Sequence, residues 1–187
     1  NVPHMDAGGS WIPTLDSAGR AKKIVATNLR LAAGVASVPG GPFNAPTAAG
    51  NPPSWATLRA WNLVGGPPHY RRMHLLSDRL GGPGNTANNL APGTASLNSS
   101  HSTHFENPAM TDVLNQGHTI DRYEVEIFYN GPSPNLLTAA ENVAWQNTIW
   151  EIKGEFEYDT GTGMEVGEYN AEEDTPGLDT QPNWIGH

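Results

Sequence analysis

The most constraining feature of the sequence is a glycine-rich loop, LGGPG at 80–84, which separates two segments of different pattern. Before it, HYRRMHLLSD (69–78) mixes apolar and basic residues, which favours a strand that runs into the loop. After it, residues 94–106 are predicted to be helical, with Thr94 or Ser96 as the N-cap. Asn107-Pro108 should break or kink this helix, and the restarted piece should end at Gly117. The middle of the chain is therefore predicted to be a strand–loop–helix unit.

Two later segments alternate apolar and polar residues. DRYEVEIFYN (121–130) and TIWEIKGEFEYD (148–159) have the period of two that is typical of half-buried strands. AKKIVATNLRL (21–31) is compatible with a short strand or a helical turn, and SWATLRAWNLVGG (54–66) with a helix or a strand. We expect an α+β fold in which an antiparallel pair of strands follows the central unit.

The length of 187 residues suits a single domain over 1–187. The 21 Gly and 16 Pro indicate many loops. Residues 1–20 and 34–54 have little periodicity and are expected to be loosely ordered arms or long loops, and 160–187 to be an acidic, loop-rich tail.

Composition excludes several classes of protein and site. The chain has no cysteine, which excludes disulfides, thiolate metal sites and cysteine nucleophiles. No apolar run approaches the roughly 18 residues of a membrane span, and residues 1–30 lack the order of a signal peptide. We therefore expect no membrane partner.

Charge is distributed unevenly along the chain. Residues 1–122 hold nine basic and six acidic residues, a net charge of +3, whereas 123–187 hold one basic and thirteen acidic residues, a net charge of −12. The overall charge of −9 argues against nucleic acid, because phosphate is neutralised by Lys and Arg. The asymmetry itself is a hint of nucleic-acid contact or of an acidic tail, although an acidic solubilising surface would also explain it.

A histidine, several amides and a carboxylate bracket the glycine loop. His74 has a side chain that can accept a proton from water at neutral pH. The side-chain oxygen of an asparagine such as Asn98 suits a Mg²⁺ ion that keeps most of its waters. Glu106 follows Asn98 by eight positions, so that with Ser102 between them they lie on one helical stripe. A carboxylate there can hold a metal-bound water.

Two arginines precede the histidine. Arg71 and Arg72 can bind phosphate bidentately through their guanidinium groups. An arginine, a histidine base, an amide metal ligand and a carboxylate are together what hydrolysis of a phosphodiester by an activated water requires.

Each of these residues also has an ordinary structural explanation. A lone histidine in a strand, such as His74, is more often packed or hydrogen-bonded. Asn88, Asn89 and Asn98 are of the type that usually forms turns and caps. Glu106 is equally compatible with a solvated helix carboxylate.

Other patterns favour further kinds of site less strongly. His101 and His104 have an i, i+3 spacing that can share a metal, but no other ligand signature lies nearby. The tryptophans can stack on bases, although packing is their usual role. The acidic run at 172–174 lacks the ligand spacing of an EF-hand loop. No G-x-S-x-G elbow supports a serine hydrolase.

The run RRMHLLSDRLGGPGNTANNLAPGTASLNSSHSTHFE (71–106) resembles the core motif of the DNA/RNA non-specific endonucleases, the ββα-metal or His-Me finger nucleases, particularly their bacterial toxin-type members. Arg, His, Gly-Gly-Pro-Gly, Asn-Leu-x-Pro, Asn and Glu occur in the family's order over about 36 of the 187 residues. The resemblance implies a ββα-metal (His-Me finger) core with additional antiparallel strands and long loops.

The resemblance also assigns roles by position. His74 is similar to the family's general base, and Arg72 to the arginine that stabilises the phosphate in the transition state. Asn98 resembles the direct ligand of Mg²⁺, for which Mn²⁺ can substitute, and Glu106 the carboxylate that holds metal waters. Asn89 resembles the asparagine that orients the histidine or the substrate.

The implied function is largely sequence-non-specific endonuclease cleavage of DNA, RNA or both, in a secreted or delivered bacterial effector. One departure from the motif is Met73, since the family usually has glycine before the histidine, and a bulky side chain there can alter the backbone at the site. The alternative is a catalytically degenerate nuclease scaffold that acts as a protein-binding module. The acidic half also suggests a face for an immunity or inhibitor protein.

Overall fold

The computed structural model describes residues 3–5, 10–31, 51–62, 70–131 and 138–172. The strands are β1 (Pro3–Met5), β2 (Trp11–Leu15), β3 (Ala21–Leu31), β4 (Tyr70–His74), β5 (Leu90–Thr94), β6 (Ile120–Phe128), β7 (Glu151–Asp159) and β8 (Met164–Glu172). The α-helices are α1 (Trp55–Asn62), α2 (Ala95–His101) and α3 (Ala139–Gln146). The predicted mixture of helices and antiparallel strands is confirmed.

Six of the strands form one antiparallel sheet in the order β1-β3-β6-β7-β8, with β2 also paired to β3. The predicted pairing of the two alternating segments is confirmed, because β6 and β7 are neighbours with Val125 opposite Gly154. The segment 21–31, which the pattern left open, is the long strand β3. β4 and β5 form a separate two-stranded hairpin.

The helix that begins with α2 is longer than predicted. Thr94, one of the two predicted caps, is its N-cap. The Thr94 hydroxyl accepts a hydrogen bond from the backbone N–H of Leu97. After α2 the helix continues through two π-helical stretches, Ser102–Glu106 and Ala109–Val113, and ends at Gly117.

Of the predicted break or kink at Asn107-Pro108, the break is wrong, because the helix continues through both residues. Pro108 has right-handed helical angles, φ −55° and ψ −46°. A proline in a helix removes one hydrogen bond and crowds the preceding turn. Here the turn before it is widened, because the N–H of Asn107 donates to the carbonyl of Ser102, five residues back. The π-helical stretches thus absorb the proline.

This helix packs on the large sheet through Phe105. The Phe105 ring lies 5.1 Å from the ring of Tyr123 on β6 and 5.4 Å from that of Phe156 on β7, measured between centroids. A side chain at Gly154 would meet this ring, because a Cβ there would lie 2.6 Å from it. The glycine in the middle of β7 therefore lets the helix approach the sheet.

A second, smaller core joins three elements beside the hairpin. Trp55 and Leu58 of α1 pack with Tyr70 of β4 and Ala144 of α3. The segment 54–66, which the pattern left open, is thus helical at 55–62, and 63–66 lie outside the described residues.

The expected arm and tail are both partly strand. Residues 11–15 of the expected arm are β2, with Trp11 opposite Ala26 of β3. Residues 164–172 of the expected tail are β8, with Gly167 opposite Phe156 of β7. Neither strand contains a fully buried side chain, so each gives a weak core pattern in the sequence. Residues 34–50 and 173–187 of the expected loops lie outside the described residues.

Candidate active site

The hairpin of β4 and β5 carries two of the candidate site residues, Arg72 and His74. β4 and β5 pair antiparallel, with His74 opposite Leu90. Side chains alternate along a strand, so Arg72 and His74 share one face and Met73 points to the other. α2 follows β5 directly, so that the hairpin and the helix are continuous in sequence.

The backbone after His74 is held by Asn89. Oδ1 of Asn89 accepts a hydrogen bond from the N–H of Leu76 at 2.8 Å, and Nδ2 donates to the carbonyls of Leu76 and Pro83, each at 2.9 Å. Asn89 is fully buried and both of its amide hydrogens are used. The resemblance implies that Asn89 orients the histidine or the substrate. Its bonds to the segment after His74 are those of a positioning residue.

The glycines of the loop are required by close packing against the same segment. A Cβ at Gly82 would lie 1.8 Å from the carbonyl oxygen of Leu76. Gly81 has φ +88°, a left-handed conformation that favours glycine. The N–H of Gly82 donates to the carbonyl of Ser77 at 2.8 Å. LGGPG and Asn89 therefore fix the short segment that carries His74, Ser77 and Asp78.

His74 is half-buried and has a free ring nitrogen. Its Nε2 is enclosed and has no hydrogen-bond partner among the residues that the structure describes. Burial lowers the pKa of His74, the carboxylate of Asp78 raises it and the guanidinium of Arg72 lowers it, and the net shift is downward. The imidazole is therefore neutral at pH 7, the form that accepts a proton.

Glu106 lies beside the same segment of the loop. The pKa of Glu106 is raised to about 7, chiefly by burial. The charge of Asp78 also raises it, whereas hydrogen bonds from Ser102 and Ser77 lower it. Asp78 thus interacts with both His74 and Glu106. The fold brings together a neutral imidazole and a carboxyl group that are 32 positions apart in the sequence.

Asn98 is half-buried on α2 and connects to Glu106 through Ser102. The backbone carbonyl of Asn98 accepts the N–H of Ser102, and Ser102 bonds the Glu106 carboxyl. The two predicted metal-site residues therefore lie along one side of the continuous helix, as their spacing indicates.

Arg72 extends from the hairpin toward α1. Its Nη1 donates to Oδ1 of Asn51 at 2.7 Å, and its guanidinium lies 5.1 Å from the centroid of the Trp55 ring. Burial lowers the pKa of Arg72, and the charge of Arg59 lowers it further. The arginine is thus held beside a second cation.

Met73 does not occupy the face of His74. It is 1% exposed and packs in the main core. Gly93 of β5 leaves space for it, because a Cβ at Gly93 would lie 2.1 Å from the sulfur of Met73. The side chain that departs from the motif is therefore accommodated on the opposite side of the hairpin.

Ion pairing separates nine of the ten basic residues into two groups. Around the hairpin, four arginines form no ion pair within the described part of the chain: Arg59, Arg71, Arg72 and Arg79. On or beside the large sheet, five basic residues are each paired with carboxylates: Arg20, Lys22, Lys23, Arg122 and Lys153. The positive charge that is free to meet an anion therefore lies at the hairpin.

The large sheet carries an acidic hollow, in contrast to the basic surroundings of the hairpin. The hollow has a volume of about 450 Å³, and its charged lining is four glutamates and one lysine: Glu124, Glu126, Glu155, Glu168 and Lys153. An excess of carboxylates repels phosphate. The candidate site for an anionic substrate is the hairpin, and the acidic hollow is excluded.

His101 and His104, the two histidines with i, i+3 spacing, differ in their exposure. His101 is 1% exposed, whereas His104 is exposed to solvent. Among the residues with described positions, no group of three or more His, Cys, Asp or Glu side chains could hold a metal. His101 instead packs between the rings of Phe105 and Tyr169, each 5.4 Å away between centroids.

Comparison with known protein families shows the class of protein to which the chain belongs. Residues 4–148 of the 187 match the model of the family described as DNA/RNA non-specific endonuclease. The chain belongs to this family. In this endonuclease the match includes the hairpin, the loop and α2, and ends before β7 and β8. No curated protein and no solved structure matches the chain.

The family implies that the endonuclease binds nucleic acid. Among its described helices none is long and apolar enough to cross a membrane.

Sequence reasoning missed two residues at the site of the endonuclease. Asp78 follows His74 by four positions. This spacing is a sequence signal for such a role, because a carboxylate near a base commonly shifts the pKa of the base. Arg59 is separated from Arg72 by 13 positions and lies on another element. Only the packing of α1 against β4 places the two arginines together.

Proposed function

We propose that this endonuclease hydrolyses phosphodiester bonds in DNA, RNA or both, without strong sequence preference, by using a divalent metal ion and a water activated by His74. The observation that carries the proposal is the position of the unpaired arginines. Arg72 has no carboxylate partner among the residues with described positions, and it lies on the same face as a neutral histidine. A phosphate is the ligand that such an arrangement favours.

His74 has the properties of the general base. Its lowered pKa keeps the imidazole neutral, so it accepts the proton of the attacking water. Nε2 is enclosed by protein, so Nδ1 is the nitrogen that we expect to meet this water. Arg72, on the same face, binds the phosphate and stabilises the negative charge that develops on it.

The residues of the helix fit a hydrated Mg²⁺ ion, with Mn²⁺ as an alternative. Burial destabilises the ionised form of Glu106, and a nearby cation would compensate for this. The half-buried amide of Asn98 lies on the same side of the helix and offers an oxygen ligand. When bound, the ion supplies positive charge to the phosphate and the leaving 3′ oxygen. The hairpin and α2 would then form the ββα-metal core.

Digestion of supercoiled plasmid and total RNA tests this function. Wild type, His74→Ala and the control His104→Ala, whose histidine is exposed on the helix that carries Glu106, are each assayed with Mg²⁺ and with EDTA. We expect wild type and the control to cleave only with the metal, and His74→Ala to be slower by about 10²–10⁴-fold. Equal cleavage by all three proteins, or none by any, would reject the proposal.

The alternative is a degenerate scaffold that binds a protein. Met73 and the acidic C-terminal half are its two motives, and the packing of Met73 away from His74 favours the active enzyme. The two differ in their response to metal, because a ligand of the native state raises its stability. Millimolar Mn²⁺ should raise the Tm of wild type and of Asn115→Ala, but not that of Asn98→Ala. Delivery as a secreted effector and binding of an inhibitor protein stay predictions.

A further inference from the structure

The second cation beside Arg72 has no assigned role. Arg59 is exposed and lies one helical turn after Trp55 on α1, so these two side chains are neighbours on one helix face. The guanidinium of Arg72 is positioned over the Trp55 ring, 5.1 Å from its centroid. Arg59 therefore flanks Arg72.

This pair of arginines is not neutralised by the protein. Neither Arg59 nor Arg72 forms an ion pair with a carboxylate in the described ranges of the chain. Two like charges that are held near each other repel, and the repulsion is relieved when an anion binds between or across them. Arg72 cannot easily turn away, because its Nη1 is bonded to Asn51 at 2.7 Å.

We propose that Arg59 and Arg72 form a two-phosphate clamp, in which Arg72 contacts the phosphate that is cleaved and Arg59 contacts the neighbouring phosphate of the same strand. The clamp rests on the proposed function, whose assignment of Arg72 it extends. Its consequence is a requirement for a flanking phosphate. A substrate with a single phosphodiester bond fills only the Arg72 position, so longer strands are preferred.

Salt-dependent binding tests the clamp without cleavage. A fluorescent single-stranded oligonucleotide is titrated in EDTA at several NaCl concentrations. Removal of one phosphate contact should reduce the slope of log Kobs against log[NaCl] by about 0.7. We expect this change in Arg59→Gln. Arg122→Gln, whose arginine is already paired with Glu155 at 3.3 Å, is the control and should keep the wild-type slope.

Phosphate neutralisation identifies the contact. Oligonucleotides with one methylphosphonate beside the cleaved bond, on either side, are digested by wild type and by Arg59→Gln. Wild type should lose about tenfold in kcat/KM when the phosphate on one side is neutral, mainly through KM. Arg59→Gln should show the same loss with the normal substrate and no further loss with the neutral one.

The outcomes separate the clamp from the nuclease proposal. If Arg59→Gln keeps the wild-type slope and remains as sensitive as wild type to every neutral phosphate, the clamp is wrong although cleavage persists. If wild type cleaves nothing, the nuclease proposal fails, and the binding slope alone decides whether Arg59 contacts phosphate. Arg59 is exposed, so its replacement should not change the Tm, which is checked in parallel.

Discussion

Nε2 of His101 lies 3.6 Å from Oε1 of Glu106, in a site where the histidine is 1% exposed. The two residues are five positions apart, the spacing of a π-helical turn, and such a turn occupies Ser102–Glu106. The irregular helix therefore places a buried histidine directly against the carboxyl group that we assign to the metal site.

The burial of His101 and Glu106 predicts opposite pH dependences for the two groups. Burial lowers the pKa of His101 to about 4 from 6.5, so the stability that it contributes is lost as pH falls from 6.5 to 4. Burial raises the pKa of Glu106 to about 7 from 4.5, so its contribution is lost as pH rises from 4.5 to 7. Each effect amounts to about 3 kcal/mol, and in wild type they offset each other.

Urea unfolding from pH 4 to 7.5 in EDTA measures these effects on the free energy of unfolding. Glu106→Gln should leave the histidine effect, with stability that falls toward pH 4. His101→Leu should leave the carboxyl effect, with stability that falls toward pH 7. Identical pH profiles for both variants and wild type would contradict the assignment.

Asp78 is predicted to set the pH below which kcat/KM for cleavage falls. Its carboxylate raises the pKa of His74 and that of Glu106, so Asp78→Asn should lower both. The base and the carboxylate must be in their deprotonated forms, so the acid limb of kcat/KM should move to lower pH. The measurement is a pH profile with Mg²⁺ between pH 5 and 8. Asp112→Asn, at an exposed position on the same helix as Glu106, is the control, and an acid limb equally shifted in both would reject the prediction.

Asn89 is predicted to act through the backbone. Asn89→Ala leaves the buried N–H and carbonyl of Leu76 and the carbonyl of Pro83 without partners. The loss should lower the free energy of unfolding by roughly 3 kcal/mol. Urea denaturation measures it, and half-buried Asn88→Ala should change it by less than about 0.5 kcal/mol. A loss of cleavage in Asn89→Ala with unchanged stability would instead indicate direct participation.

Met73 and Gly93 are predicted to be energetically coupled. Gly93→Ala should destabilise the protein by about 1–3 kcal/mol, because the new methyl group meets the sulfur of Met73. Met73→Ala should cost about 2–5 kcal/mol through a cavity. The double variant should lose less than the sum of the two, which a double-mutant cycle in urea measures. Additive losses would show that the two sites are independent.

Much of the candidate site could be predicted from local sequence. The strand before the loop, the Thr94 cap, the end at Gly117 and the stripe from Asn98 through Ser102 all depend on neighbours within about two helical turns. The paired strands β6 and β7 were predicted because their alternation separates a core face from a solvent face. β2 and β8 were missed because neither contains a fully buried side chain, so each gives a weak core pattern in the sequence.

What the sequence by itself determined is the order of the chemical groups, from Arg72 and His74 to Glu106, and the class of elements that carry them. The tertiary structure decided which basic residues form ion pairs and which do not. Lys23 is neutralised by Glu124, about a hundred positions away, whereas Arg72 contacts Asn51 and Trp55, with Arg59 nearby, and no carboxylate among the described residues. Such pairings arise from the packing of distant elements, and a count of charges along the chain contains no information about them.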